Sequence, residues 1–191
     1  MKIVSATLFL DEKQYNNVPA QTFDRSDIPM IHDIYRSWRN LCTNMITIQA
    51  RSINIPEGLS EAVYCLITGS YRINSVNLPG ANSSFDCYSP VDNSRVQVKA
   101  CSVIPDLTSF GPHSVWDKLI FIDFYANGQW NGAFIVYEIP SNLINNLIMN
   151  MTTRETFRDQ QAQGRRPRLS LYRLIQSNNI PAIFTGNIYN L

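Results

Sequence analysis

With 191 residues, 45% of them hydrophobic and only 16% charged, the chain has one domain's worth of foldable sequence and reads neither as a disordered tail nor as a coiled coil. Its longest apolar runs are too short to span a bilayer. Sixteen basic against fifteen acidic side chains leave a net charge of +1, so whole-chain charge neither demands nor excludes a polyanionic partner.

The opening MKIVSATLFL has a brief apolar stretch, but Asp11, Glu12 and Lys13 follow at once. It reads as a first strand or helical turn and not as a signal peptide. Ser26 or Asp27 can cap a helix with Pro29 in its first turn. Ile31, Ile34, Tyr35, Trp38, Leu41 and Cys42 recur at helical spacing, and the pattern extends to about Ile53 before Pro56 ends it. A second helix reads from Leu59 to about Ile73, weakened by Gly69. Leu78 to Ser84 is turn chemistry.

The period then changes. Phe85 to Tyr88 is short and strand-like, and Ser89 to Ser94 is a turn. Arg95 to Cys101 alternates, with Val96, Val98 and Ala100 on one face and Gln97 and Lys99 on the other. Cys101 to Trp116 is a loop, Leu119 to Tyr125 an apolar central strand, Ala126 to Gly132 a hairpin turn and Gly132 to Ile139 the returning strand. A helix from Leu143 to Met151, an arginine-rich stretch and a short helix from Ser170 to Gln176 complete an α/β (α+β-like) domain, a central mixed sheet flanked by helices. Six of the twelve arginines fall between Arg154 and Arg173. Cys42, Cys65, Cys87 and Cys101 have neither CxxC nor zinc-finger spacing. They read as reduced, mostly buried thiols of a cytoplasmic protein.

The constellation with chemical content is Asp86 on one strand and Gln97 and Lys99 two apart on the next. A short turn joins the strands, so the carboxylate can approach that pair. A carboxylate, an amide oxygen and an ammonium together suit Mg²⁺ and an attacking water. The plain alternative is a β-hairpin whose polar face happens to carry one Asp, one Gln and one Lys.

On these residues the chain resembles the PD-(D/E)XK nucleases, specifically small type II restriction endonucleases. Asp86 matches the first acid of the family pattern and Lys99 its lysine. Gln97 stands where an acid is more usual, the Val98 carbonyl matches the main-chain metal ligand, and Phe85 replaces the proline. Glu61 lies on the preceding helix, where the family often places an acid. The resemblance covers about Leu59 to Tyr172 and is nearest to very small enzymes cutting interrupted GC sites such as GCNGC. It implies a restriction-endonuclease-like core, Mg²⁺ as cofactor, and cleavage of double-stranded DNA at a short palindromic site with 5′-phosphate products. It also implies a homodimer and a cognate DNA methyltransferase acting separately on the same site. The single domain, 1–191, would then divide into an N-terminal helical part with a possible role in dimerisation (1–56), the nuclease core (57–150) and a basic C-terminal segment (151–191).

Arg165, Arg166 and Arg168, with Ser170, are candidates for DNA phosphate contacts, and the alternative is a solvated basic turn. The loop leaving the lysine strand offers Ser102, Asp106, Ser109 and His113 to DNA, or simply connects two strands. His32 reads as structural. Two competing functions remain: a structure-specific or repair nuclease of the same fold, and a non-catalytic DNA-binding domain with a decayed site.

Overall fold

The computed structural model describes residues 1–74, 78 and 84–191. The chain opens with a hairpin of two strands, β1 (Lys2–Leu10) and β2 (Lys13–Thr22). Ala6, Leu8 and Leu10 alternate inward, and Asp11 and Glu12 turn the corner with φ of 49° and 64°. Two successive left-handed residues match the twist of the flanking strands. Helix in residues 1–56 is therefore confined to the part after the hairpin. Asp24 and Asp27 form a capping box ahead of α1 (Ile28–Thr47), whose first turn holds Pro29.

The periodic residues of α1 divide between two environments. Ile31, Tyr35, Trp38 and Cys42 are buried, while Ile34 and Leu41 stay 40% and 46% exposed. The helix ends at Thr47, short of Ile53. The irregular segment that follows is pinned by the Trp38 indole N–H and the Cys42 thiol, which donate to the Ile53 carbonyl at 3.0 and 3.4 Å. α2 (Glu57–Thr68) stops where Gly69 adopts the left-handed conformation at φ 72°. Tyr71–Ile73, expected to continue that helix, instead forms β3. The turn expected at 78–84 lies, apart from 78 and 84, outside the described residues.

The remaining strands are β4 (Cys87–Ser89), β5 (Ser94–Cys101), β6 (Thr108–Ser109), β7 (Lys118–Asp123), β8 (Ala133–Ile139), β9 (Arg168–Leu169) and β10 (Ala182–Asn187). Three short helices accompany them: α3 (Ser141–Asn145), α4 (Phe157–Ala162) and α5 (Leu171–Asn178). The helix expected from Leu143 to Met151 is only α3. Among the described residues eight strands form one mixed sheet in the order β1-β2-β3-β4-β5-β7-β8-β10, and β6 pairs with β9 separately. Within the large sheet β5 and β7 run parallel, Val98 beside Ile120, and the other described pairs are antiparallel.

Helices cover the sheet on both sides, which is the α/β architecture the sequence leads one to expect. α1 and α2 pack on Cys87, Val96, Val98, Ile120, Ile122 and Val136. A second cluster joins Leu119, Phe121 and Tyr137 to Phe110, Phe157 and Leu171. Alternate side chains of β7 thus enter different cores, as a strand buried on both faces requires. All four cysteines are free and buried. Among the described residues no helix is long and apolar enough to cross a membrane.

Candidate active site

Strand alternation on β5 sends Val96 and Val98 toward α1 and α2, so Gln97 and Lys99 project to the other side. The register Cys87↔Val96 sets Asp86 opposite Gln97. The Asp86 N–H donates to the Val96 carbonyl at 3.0 Å, and beyond that bond the backbone ladder gives way to a side chain. The Val98 N–H donates to Asp86 Oδ2 at 2.9 Å. The Gln97 amide nitrogen donates to the same oxygen, which leaves Oε1 as the acceptor Gln97 has to offer. Lys99 extends along the same face, its Nζ 5.9 Å from the centre of the Phe110 ring.

These residues line a cleft of about 700 Å³. One wall is the face of α2 that carries Glu57 and Glu61, four residues apart and hence one above the other. The opposite wall is the segment between β5 and β7, with Arg166. Burial is the main reason the Asp86 carboxyl is pushed up to about 6. The Lys99 ammonium opposes that shift, while Glu61, and more weakly Glu57, add to it. Glu61 itself is 8% exposed, and its Oε2 accepts from Arg72 Nε.

The expected DNA-contact residues divide in the same way. Ser102, Ser109, His113 and Arg166 all border the cleft. Ser109 is fixed by pairing with Arg168 of β9, and the Ser102 carbonyl accepts from the Trp130 indole at 2.7 Å. Arg168 is exposed, and Arg165 is held by Glu155 at 2.9 Å. Asp106, which also borders the cleft, and Ser170 are turned inward. The Asp106 carboxylate accepts from the Leu171 and Tyr172 N–H groups at 2.8 and 3.2 Å and from the Ser170 hydroxyl. Ser170 in turn caps α5 by accepting from the Arg173 N–H. At these two positions, which sequence reasoning offered to DNA, the side-chain oxygens are engaged at the start of α5. Glu57 and Arg72 were missed. The four-residue spacing from Glu61 was a usable signal for Glu57; Arg72 had none.

Among the described residues no three His, Cys, Asp or Glu side chains converge to hold a metal ion by themselves. The donors available are the carboxylates of Asp86 and Glu61, the Gln97 amide oxygen and the Val98 carbonyl. An all-oxygen set of this kind, completed by water, fits Mg²⁺. A cation would also offset the burial and the smaller carboxylate repulsion that raise Asp86.

A family model for the Bsp6I restriction endonuclease matches residues 23–178, a span that contains every cleft residue named above. The type II restriction enzyme Bsp6I of Bacillus sp. (strain RFL6) is 31% identical over 153 residues, which is 78% of this chain and 81% of that protein. No solved structure matches. The family match over most of the chain, and a relative aligned over most of both lengths, show that the chain belongs to the Bsp6I restriction endonuclease family and is a restriction enzyme.

Proposed function

We propose that the protein is a Mg²⁺-dependent type II deoxyribonuclease of the PD-(D/E)XK kind, cutting both strands of DNA at a short palindromic site. The observation that carries this reading is the cluster of Asp86, Gln97, Val98 and Lys99 at one end of an open cleft. Bound Mg²⁺ would polarise the scissile phosphate and lower the pKa of a coordinated water. Asp86, Gln97 Oε1 and the Val98 carbonyl would hold it, with Glu61 assisting. Lys99 orients the attacking water and offsets charge on the pentavalent phosphorus. Water oxygen bonds to phosphorus as the bond to the 3′ oxygen breaks, leaving a 5′-phosphate and a 3′-hydroxyl. Arg166 and Arg168 hold flanking phosphates.

A palindrome read by two equivalent sites calls for a two-fold homodimer. The exposed apolar stripe of α1, Met30, Ile34 and Leu41 beside Ile53, supports placing the second copy there. A cognate methyltransferase would protect the same site independently. An interrupted GC site such as GCNGC is the recognition sequence favoured.

The test is digestion of long unmethylated DNA in Mg²⁺, with an EDTA control. Discrete bands that vanish with EDTA are expected, and sequencing the ends gives the site and the stagger. Asp86→Ala and Lys99→Ala should each abolish cutting while leaving binding largely intact. A smear would point to a structure-specific nuclease. The amide at Gln97, in place of an acid, favours a second reading in which the site has decayed. In that case the duplex would stay uncut in Mn²⁺ as well, while binding persists.

A further inference from the structure

Arg72 is clamped on three sides. On β3 it sits between Gln21 of β2 and Cys87 of β4, the residue next to Asp86. Its Nη1 donates to Gln21 Oε1 at 2.9 Å and its Nε to Glu61 Oε2. Its Nη2 lies 3.4 Å from where a β-carbon on Gly58 would stand, so the guanidinium rests against the first turn of α2. The pair is mostly screened from water, at 25% and 10% side-chain exposure. Arg72 is absent from the cleft lining while Glu61 is part of it. The arginine therefore reaches the acid from behind.

We propose that Arg72 is a positioning residue that holds one oxygen of Glu61 so that the other faces the cation site of the cleft, an inference that rests on the Mg²⁺-dependent reading above. Glu61 leaves α2 on a flexible side chain, and without an anchor its carboxylate could turn to solvent or toward Glu57. The guanidinium gives Glu61 one N–H while Gln21 holds another, so the donor that meets the acid is itself fixed in direction, which the freely rotating ammonium of a lysine would not be. It also neutralises one of the carboxylates crowded around Asp86, so the site can assemble before a cation arrives. Groups that orient a metal ligand typically carry a 10- to 100-fold effect on metal affinity.

The test pairs two readouts, the Mg²⁺ concentration giving half-maximal cleavage and the rise in Tm that Mg²⁺ produces without DNA. Arg72→Gln should raise the half-maximal Mg²⁺ concentration about 10- to 100-fold and largely remove the Mg²⁺-dependent rise in Tm. Arg72→Lys should recover part of both. Glu61→Gln should give a similar shift, and the double variant should be no worse than Glu61→Gln alone, the non-additivity expected when one residue acts through another. If Glu61→Gln shifts the Mg²⁺ requirement but Arg72→Gln does not, or if the two effects add, the positioning role is overturned. If Glu61→Gln itself leaves both readouts unchanged, the assignment of Glu61 to the cation site fails instead. Should Arg72→Gln be too unstable to purify, Arg72→Lys and its double variant with Glu61→Gln carry the same comparison.

Discussion

Asp86 ionises against its surroundings. Burial and the neighbouring carboxylates raise it to about 6 against an ordinary value of 3.8, and Lys99 offsets only part of that. The unfolded chain releases this proton near pH 4 and the folded chain near pH 6. The folded form therefore loses stability as pH rises through that window and does not regain it above. A shift of this size corresponds to roughly 2–3 kcal/mol. Asp86→Asn should accordingly be more stable than the parent at pH 8 in EDTA, with the gap closing toward pH 4, as read by chemical denaturation. Adding Mg²⁺ should stabilise the parent and leave the variant unmoved. Cleavage should fall as pH drops through about 6, with higher Mg²⁺ moving that limb to lower pH because proton and cation compete for one carboxylate.

At the scale of elements, the cleft wall depends on the capping of α5. Asp106 sits in an irregular segment yet is 6% exposed, and besides Thr108 its partners lie more than sixty residues along the chain. Asp106→Ala would leave several buried donors unmatched and should lower stability by about 2–3 kcal/mol. Asp106→Asn, which keeps an acceptor, should cost less and leave the cleavage sites unchanged. A changed cleavage pattern in Asp106→Asn would instead assign this residue to base reading. Such contacts explain what the sequence could and could not reveal. Asp86, Gln97 and Lys99 are visible because strand alternation is local, and Glu61 only because the resemblance implies an acid on the preceding helix. The inward turn of Asp106, and Arg72 behind Glu61, depend on elements that meet only in the folded sheet. β2 was hidden by its composition: KQYNNVPAQT is largely polar and contains Pro19. Among the described residues β3 meets β2 at Ala20 and Gln21, and Pro19 lies just beyond that pairing.

For the whole molecule, the question is what covers α1. Helical periodicity predicted one face, but the sheet covers only part of it, because Ile31, Tyr35, Trp38 and Cys42 already fill the contact. Met30, Ile34 and Leu41 remain at 40–46% exposure. If the proposed second copy covers this stripe, Ile34→Glu and Leu41→Glu should shift the protein toward monomer in sedimentation velocity without unfolding it. They should also turn concerted double-strand cleavage into accumulation of nicked circles. Dimers that persist in both variants would move the proposed two-fold axis elsewhere on the surface, and a parent protein that sediments as a monomer would overturn the homodimer.

The parallel pairing of β5 with β7 carries a consequence for the order of assembly. Parallel neighbours need a crossover, and here residues 102–117 make it without a helix, held in place by β9 and the start of α5. The bond from Leu171 to Asp106 spans 65 positions. A chain emerging from the ribosome thus presents Asp86, Gln97 and Lys99 long before the wall facing them can close. Long-range closures of this kind come late in folding. In a restriction enzyme, the fold thus withholds a finished cleft until the chain has been delivered past Tyr172.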